Sequence, residues 1–195
     1  MGRFAFIIHP LDTGDVARKY RVMRYLPERV VGGIIRRIPP KTLSHITGVK
    51  SVTGAEAEGW FVGLPLLPYQ FSTLPTERVY ERIVQCAEIA EDLGAGIIGL
   101  GAFTSVVGDG GITVVQMLRE RGRKIAVTTG NSYTVATAVE GALEAARLMD
   151  INLEQAYVAV VGATGSIGRA CAFLLAQEKI AKLHLVGRSL NDLAY

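Results

Sequence analysis

The sequence has little with which to staple or metallate a fold. Its two cysteines, Cys86 and Cys171, supply neither a disulfide framework nor a four-ligand metal site. A reducing, cytoplasmic setting is therefore expected. The three histidines, His9, His45 and His184, stand far apart and carry no metal-ligand spacing. Aromatic residues make up only 7%. No apolar run approaches the roughly 20 residues that cross a bilayer. The apolar start over residues 1–8 soon meets His9-Pro10, so it reads as a first strand and not as a signal peptide. Myristoylation at Gly2 is excluded because Phe6 stands where a Ser or Thr is required. Internal repeats and low-complexity segments are also absent.

What is present points to an α/β protein with a substantial core: 49% hydrophobic and 20% charged residues, with 22 glycines for tight turns. The net charge of +3 is unevenly spread. Residues 1–50 hold ten Lys/Arg against three Asp/Glu, and the remainder is acidic. The basic stretch comprises Arg18, Lys19, Arg21, Arg24, Arg29, Arg36, Arg37 and Lys41. It suits an acidic protein partner or an anionic membrane surface, or it is a solvated helix face. No nucleic-acid partner is expected.

Periodicity predicts strands at 3–9, 45–52, 58–66, 96–100, 124–128, 157–161 and 182–186. Helices are expected at 12–25, 76–93, 112–121, 132–150 and 169–177, and residues 101–111 as a loop. Alternating strands and helices imply a parallel sheet with crossover connections. The expected organisation is an N-terminal α/β catalytic (substrate) domain over residues 1–150, then a dinucleotide-binding domain beginning at 151. Only two strands of that second domain precede Tyr195, too few for a stable sheet, so the chain is expected to be a piece of a longer protein.

The second domain opens with Tyr157-Val158-Ala159-Val160-Val161, an apolar run suited to a doubly covered parallel strand. Gly162-Ala163-Thr164-Gly165-Ser166-Ile167-Gly168 follows, and a helix follows that. Strand, glycine loop and helix in this order form the context of a Rossmann NAD(P) site. Gly162 would permit the turn, Gly165 the approach of a pyrophosphate, and Gly168 the packing of helix on strand. The alternative is a glycine turn without a ligand. Past the next strand stand Arg188 and Ser189, where NAD-selective folds carry an acidic residue about 20 residues beyond the glycines. A guanidinium and a hydroxyl favour the 2′-phosphate of NADP.

Two polar loops close strands of the first domain. One contains Gly101, Phe103, Thr104 and Ser105; the other contains Thr129, Gly130, Asn131, Ser132 and Tyr133. Ligands of open α/β sheets bind at this carboxyl edge, so both loops are candidate substrate sites. Asn131 and Ser132 could hold a carbonyl or an oxyanion; equally, they could serve as ordinary helix caps. Cys86 and Cys171 fall on inward helix faces and read as structural thiols.

These motifs carry a family resemblance. The segments 6–11, Leu100-Gly101-Ala102-Phe103-Thr104-Ser105, Thr128-Thr129-Gly130-Asn131-Ser132-Tyr133-Thr134 and 158–168 resemble the cyanobacterial-type long-chain acyl-(acyl-carrier-protein) reductases. The resemblance implies hydride from NADPH, an acyl-carrier-protein or acyl-CoA thioester as substrate, a fatty aldehyde as product, and an acyl-cysteine intermediate. The nucleophilic cysteine it implies belongs beyond Tyr195, and neither Cys86 nor Cys171 matches it. The sequence departs from that pattern around Leu67-Pro68-Tyr69, where those enzymes have an acidic residue after the proline, and at Ala102, where they have glycine. A more distant likeness, in domain order and in the Asn-containing helix start, is to shikimate dehydrogenases and glutamyl-tRNA reductases. The alternatives are thus a shikimate- or quinate-type NADP dehydrogenase, or a non-catalytic module that docks a carrier protein through residues 18–41.

Overall fold

The computed structural model describes residues 2–188, apart from the side chains of 108 and 109. By its internal contacts the chain divides into two compact units, Met1–Thr129 and Gly130–Tyr195.

The first unit is built on a five-stranded sheet. Strand β1 (Gly2–Ile8) runs up its middle, parallel on one side to β3 (Glu56–Gly63) and on the other to β4 (Ile97–Gly99). Strand β2 (Lys41–Lys50) joins β3 as an antiparallel hairpin, and β5 (Ala126–Thr128) extends the parallel side. The order is β2-β3-β1-β4-β5. The hairpin turns over residues 51–55, with the Gly54 amide donating to the Ser51 carbonyl. Alternation in β1 places Ala5 and Ile7 in the core.

Around this sheet run α1 (Thr13–Lys19), a 3-10 turn (Arg21–Tyr25), α2 (Glu28–Ile35), α3 (Gln70–Thr73), α4 (Thr76–Asp92), α5 (Phe103–Val106) and α6 (Gly108–Glu120). Helix α4 buries Val79, Ile83, Val84, Cys86, Ala87 and Ala90, spaced as an amphipathic helix requires. They pack with Ala5, Ile7, Val62 and Ile98 of the sheet and with Val114 and Leu118 of α6. Each large side chain so buried contributes about 1.5–3 kcal/mol. Below α4, Glu91 Oε1 accepts from the amides of Lys124 (2.7 Å) and Ile125 (3.0 Å) and so fixes the entry to β5. A smaller core joins Val16, Val31, Ile35 and Leu67. The buried Gln70 side chain ties it together: its amide donates to the Gly32 carbonyl at 3.0 Å, and its oxygen accepts from the Leu67 amide at 2.9 Å.

The second unit contains α7 (Asn131–Leu148), β6 (Tyr157–Val161), α8 (Ser166–Leu175) and β7 (Lys182–Val186). Strands β6 and β7 pair in parallel, as a crossover through α8 requires. Val139 of α7 packs with Val160, Ala163, Ala172 and Leu175, so α7 belongs to this core.

The α/β architecture, with mostly parallel strands, agrees with the sequence reading. Several boundaries differ. Residues 101–111 hold α5 and the start of α6, because Thr104 closes a local turn and the backbone at Gly110 and Gly111 takes positive φ within α6. The expected helix over 12–25 breaks at Tyr20 into a 3-10 turn. Helix α2 lies within the basic stretch, where Gly32 and Gly33 conceal its periodicity. Among the described residues no helix is long and apolar enough to cross a membrane.

Candidate functional site

The glycine loop leaves β6 through Gly162, whose φ of +80° is a left-handed conformation that side chains rarely adopt. The amides of Gly162 and Ala163 donate to the Val186 carbonyl at 2.8 and 3.1 Å, which anchors the loop to the end of β7. The Gly165 amide donates to the Gly162 carbonyl at 2.9 Å and closes the turn. Helix α8 then starts at Ser166, three residues before the sequence-based boundary. A Cβ on Gly168 would stand 2.2 Å from the Gly162 carbonyl oxygen, so α8 sits on β6 only because residue 168 is glycine. Gly165 has ordinary room, 3.4 Å from the same oxygen.

Ala163 is buried beneath the loop, Thr164 is half-buried, and Ser166 and Ile167 are exposed. The first amides of a helix have no acceptor within it, and here they open where the loop does. The chemistry suits a phosphate: bare N–H groups and the positive end of a ten-residue helix. Arg188 is exposed just past β7, two residues from the carbonyl that anchors the loop. Ser189 lies outside the described residues.

The second polar loop meets the first unit's sheet at Thr128 and enters α7 through Gly130, at φ +73°. Asn131 opens α7, and its Nδ2 donates to Ser166 Oγ at 3.1 Å. A predicted substrate residue and a predicted cofactor residue are thereby joined, and the start of α7 is held beside the start of α8. Ser132 and Tyr133 are exposed on the first turn of α7. Thr134 Oγ1 donates to the Gly130 carbonyl at 3.2 Å.

The Gly101–Ser105 loop is organised differently. Thr104 is fully buried; its Oγ1 accepts from the Gly101 amide (2.9 Å) and donates to the Gly101 carbonyl (2.8 Å). Ser105 Oγ donates to the Ala102 carbonyl at 2.7 Å. Both hydroxyls hold the loop together. Phe103 projects outward, 45% exposed, with its ring 5.6 Å from Phe71 and 5.8 Å from His9. His9 Nδ1 lies 3.0 Å from the Pro10 carbonyl, which only accepts, so Nδ1 carries the proton there. Its Nε2 is buried with no hydrogen-bond partner among the described residues. Ala102 adopts φ +47°, ψ −124°, a region that favours glycine.

Cys86 offers no nucleophile. Burial pushes the Cys86 thiol far above its usual range, where no useful fraction is thiolate. Cys171 packs half-buried on α8 against the second core. Among the described residues no cluster of His, Cys, Asp and Glu could hold a metal ion.

With this geometry established, known proteins can be compared. No family model matches the chain. It is 30% identical, over 96% of its length, to the aminotransferase PigE of a Serratia species, of which it covers 22%. It is 30% identical, over 77% of its length, to the long-chain acyl-[acyl-carrier-protein] reductase of Synechococcus elongatus, of which it covers 45%. The chain spans less than half the length of both curated relatives. The family resemblance read from the sequence is thus supported by a 30% identical match to a cyanobacterial long-chain acyl-carrier-protein reductase over 154 residues.

Proposed function

We propose that this chain is part of an NADP-dependent oxidoreductase that reduces a fatty acyl thioester, presented by acyl-carrier protein or CoA, to an aldehyde. The observation that carries the reading is the Asn131–Ser166 hydrogen bond, which fastens the polar start of α7 to the glycine loop. In this reading residues 1–150 supply the substrate domain and residues 151–195 the start of the cofactor domain, with α7 packed on the latter.

The backbone of Gly162, Ala163, Thr164 and Gly165 and the amides of Ser166, Ile167 and Gly168 cradle the cofactor's pyrophosphate, and Arg188 with Ser189 meets its 2′-phosphate. Bound NADPH supplies hydride to the carbonyl carbon. Ser132 and Tyr133 lie on the exposed turn beside that cradle and receive the substrate carbonyl; Asn131 positions this turn. A nucleophilic thiolate, matched by neither Cys86 nor Cys171, would take the acyl group and expel the carrier thiol, and the cofactor would supply the hydride that releases the aldehyde and regenerates the thiolate. Because the thiol of Cys86 is held protonated by burial, it takes no part.

The test is aldehyde formation by the intact gene product from dodecanoyl-carrier protein and NADPH. The expected result is turnover that falls on the order of 10-fold or more in Asn131→Ala, through kcat more than KM, since a displaced loop misorients the reacting groups. Absence of turnover by the intact protein overturns the reading. Turnover of a cyclic hydroxy acid with NADP would favour the shikimate-type dehydrogenase instead, and carrier binding without turnover the docking module.

A further inference from the structure

The 3-10 turn over Arg21–Tyr25 repeats every three residues, so side chains three apart line up in rows along it. Three rows result. Tyr20, Met23 and Leu26 pack on the small core of Val16, Val31, Ile35 and Leu67. Val22 and Tyr25 form an apolar outer row, 67% and 83% exposed. Arg21 and Arg24, also exposed, form a cationic row beside it. The turn is tied down: the Met23 amide donates to the Tyr20 carbonyl at 2.8 Å, and Lys41 Nζ of β2 donates to the Tyr20 hydroxyl at 2.8 Å. Single exposed apolar residues are common on any surface. Here two share one row and are bordered by charge of one sign. Residues 20–37 hold Arg21, Arg24, Arg29, Arg36 and Arg37 against Glu28 alone, and all five arginines are exposed. Arg37 donates to the Gly33 carbonyl at 2.7 Å, which keeps its guanidinium against the end of α2. In the preceding helix Asp15 is already engaged by Arg18 at 2.9 Å and does not offset this charge.

We infer that this face docks on an anionic lipid bilayer, with Val22 and Tyr25 entering the headgroup boundary and the arginines meeting lipid phosphates. A tyrosine has an apolar body and a polar tip, which suits that boundary. Guanidinium groups pair with phosphate oxygens in a fixed fork. Charge alone would answer an acidic protein equally well; the apolar row of Val22 and Tyr25 beside the arginines favours the bilayer. The inference rests on residues of the first unit and uses no step of the reductase chemistry.

The experiment is cosedimentation of the intact gene product with vesicles of phosphatidylcholine, alone or mixed equally with phosphatidylglycerol. The expected result is binding at least about tenfold stronger to the mixed vesicles, weakening as salt is raised. Arg21→Glu with Arg24→Glu should weaken it on the order of tenfold or more, since each cation at such a surface is worth about fivefold. Val22→Ser with Tyr25→Ser should weaken it about tenfold and leave its salt dependence as it was. Tyr25→Trp reads insertion: the emission it adds should shift to the blue on mixed vesicles. All these positions are exposed, and unchanged melting verifies that each variant is folded. Binding to neither vesicle, equal binding to both, or added emission that does not shift overturns the proposal. So does binding of an acidic acyl-carrier protein that the arginine reversals abolish while vesicle binding is unchanged, which would assign the face to a protein partner.

Discussion

At the residue scale, Ala102 bears most directly on the resemblance. The reductase pattern has glycine there, and the backbone explains why: φ +47° with ψ −124° crowds a Cβ. Ala102→Gly should stabilise the protein by about 1 kcal/mol, relief of strain outweighing the greater entropy of an unfolded glycine. Urea unfolding checks it, and a destabilised variant would contradict the strain. Of the candidate site residues, the glycine loop was the most legible, because positive φ at Gly162 and the close approach at Gly168 demand a specific residue. Thr104 and Ser105 were legible as a motif but not in their role. Whether a hydroxyl faces a ligand or closes its own turn depends on a side-chain rotamer that sequence does not reveal. Lys41 and Tyr20 were invisible as a pair, since 21 residues separate them.

At the scale of elements, strands and long amphipathic helices could be read from periodicity, as with α4 and β6. Short helices could not. Helix α5 has four residues, fewer than two turns, so no face repeats. Ion pairs between elements were equally hidden. Arg121 of the segment after α6 pairs with Glu81 and, at 3.5 Å, with Glu88, while Arg123 reaches Asp92 at 2.7 Å and Glu91 at 3.2 Å. The Arg121 guanidinium beside Glu81 holds that carboxyl below its usual range. A carboxyl depressed in the folded state stabilises above its unfolded pKa of about 4.3, and the contribution is lost as pH falls through the lower folded value. Glu81→Gln should therefore cost a few tenths to about 1 kcal/mol at pH 7, the side chain being 40% exposed. The difference from wild type should shrink as pH falls below about 4.3 and vanish below the lower folded value. Thermal melts across pH read it, and a penalty that persists in acid would contradict the ion pair.

At the scale of the whole molecule, the α/β architecture with mostly parallel strands was legible, because strands and helices alternate along the sequence. The place of α7 was not. Its apolar face, with Val135, Val139 and Leu143, would suit either unit, and only packing on Val160, Ala163 and Leu175 assigns it to the second. That assignment matters for the proposed chemistry, because α7 carries Asn131 to Ser166. The central claim is that this second unit, in the intact protein, holds NADPH through the glycine loop. The most direct test is calorimetric titration of the intact gene product with NADPH and NADH, alongside its Gly168→Ala variant. The account predicts NADPH binding at least about tenfold tighter than NADH. It also predicts loss of NADPH binding in Gly168→Ala, where the added Cβ would meet the Gly162 carbonyl at 2.2 Å. Equal binding of both nucleotides would remove the role of Arg188, and no binding of either would contradict the account.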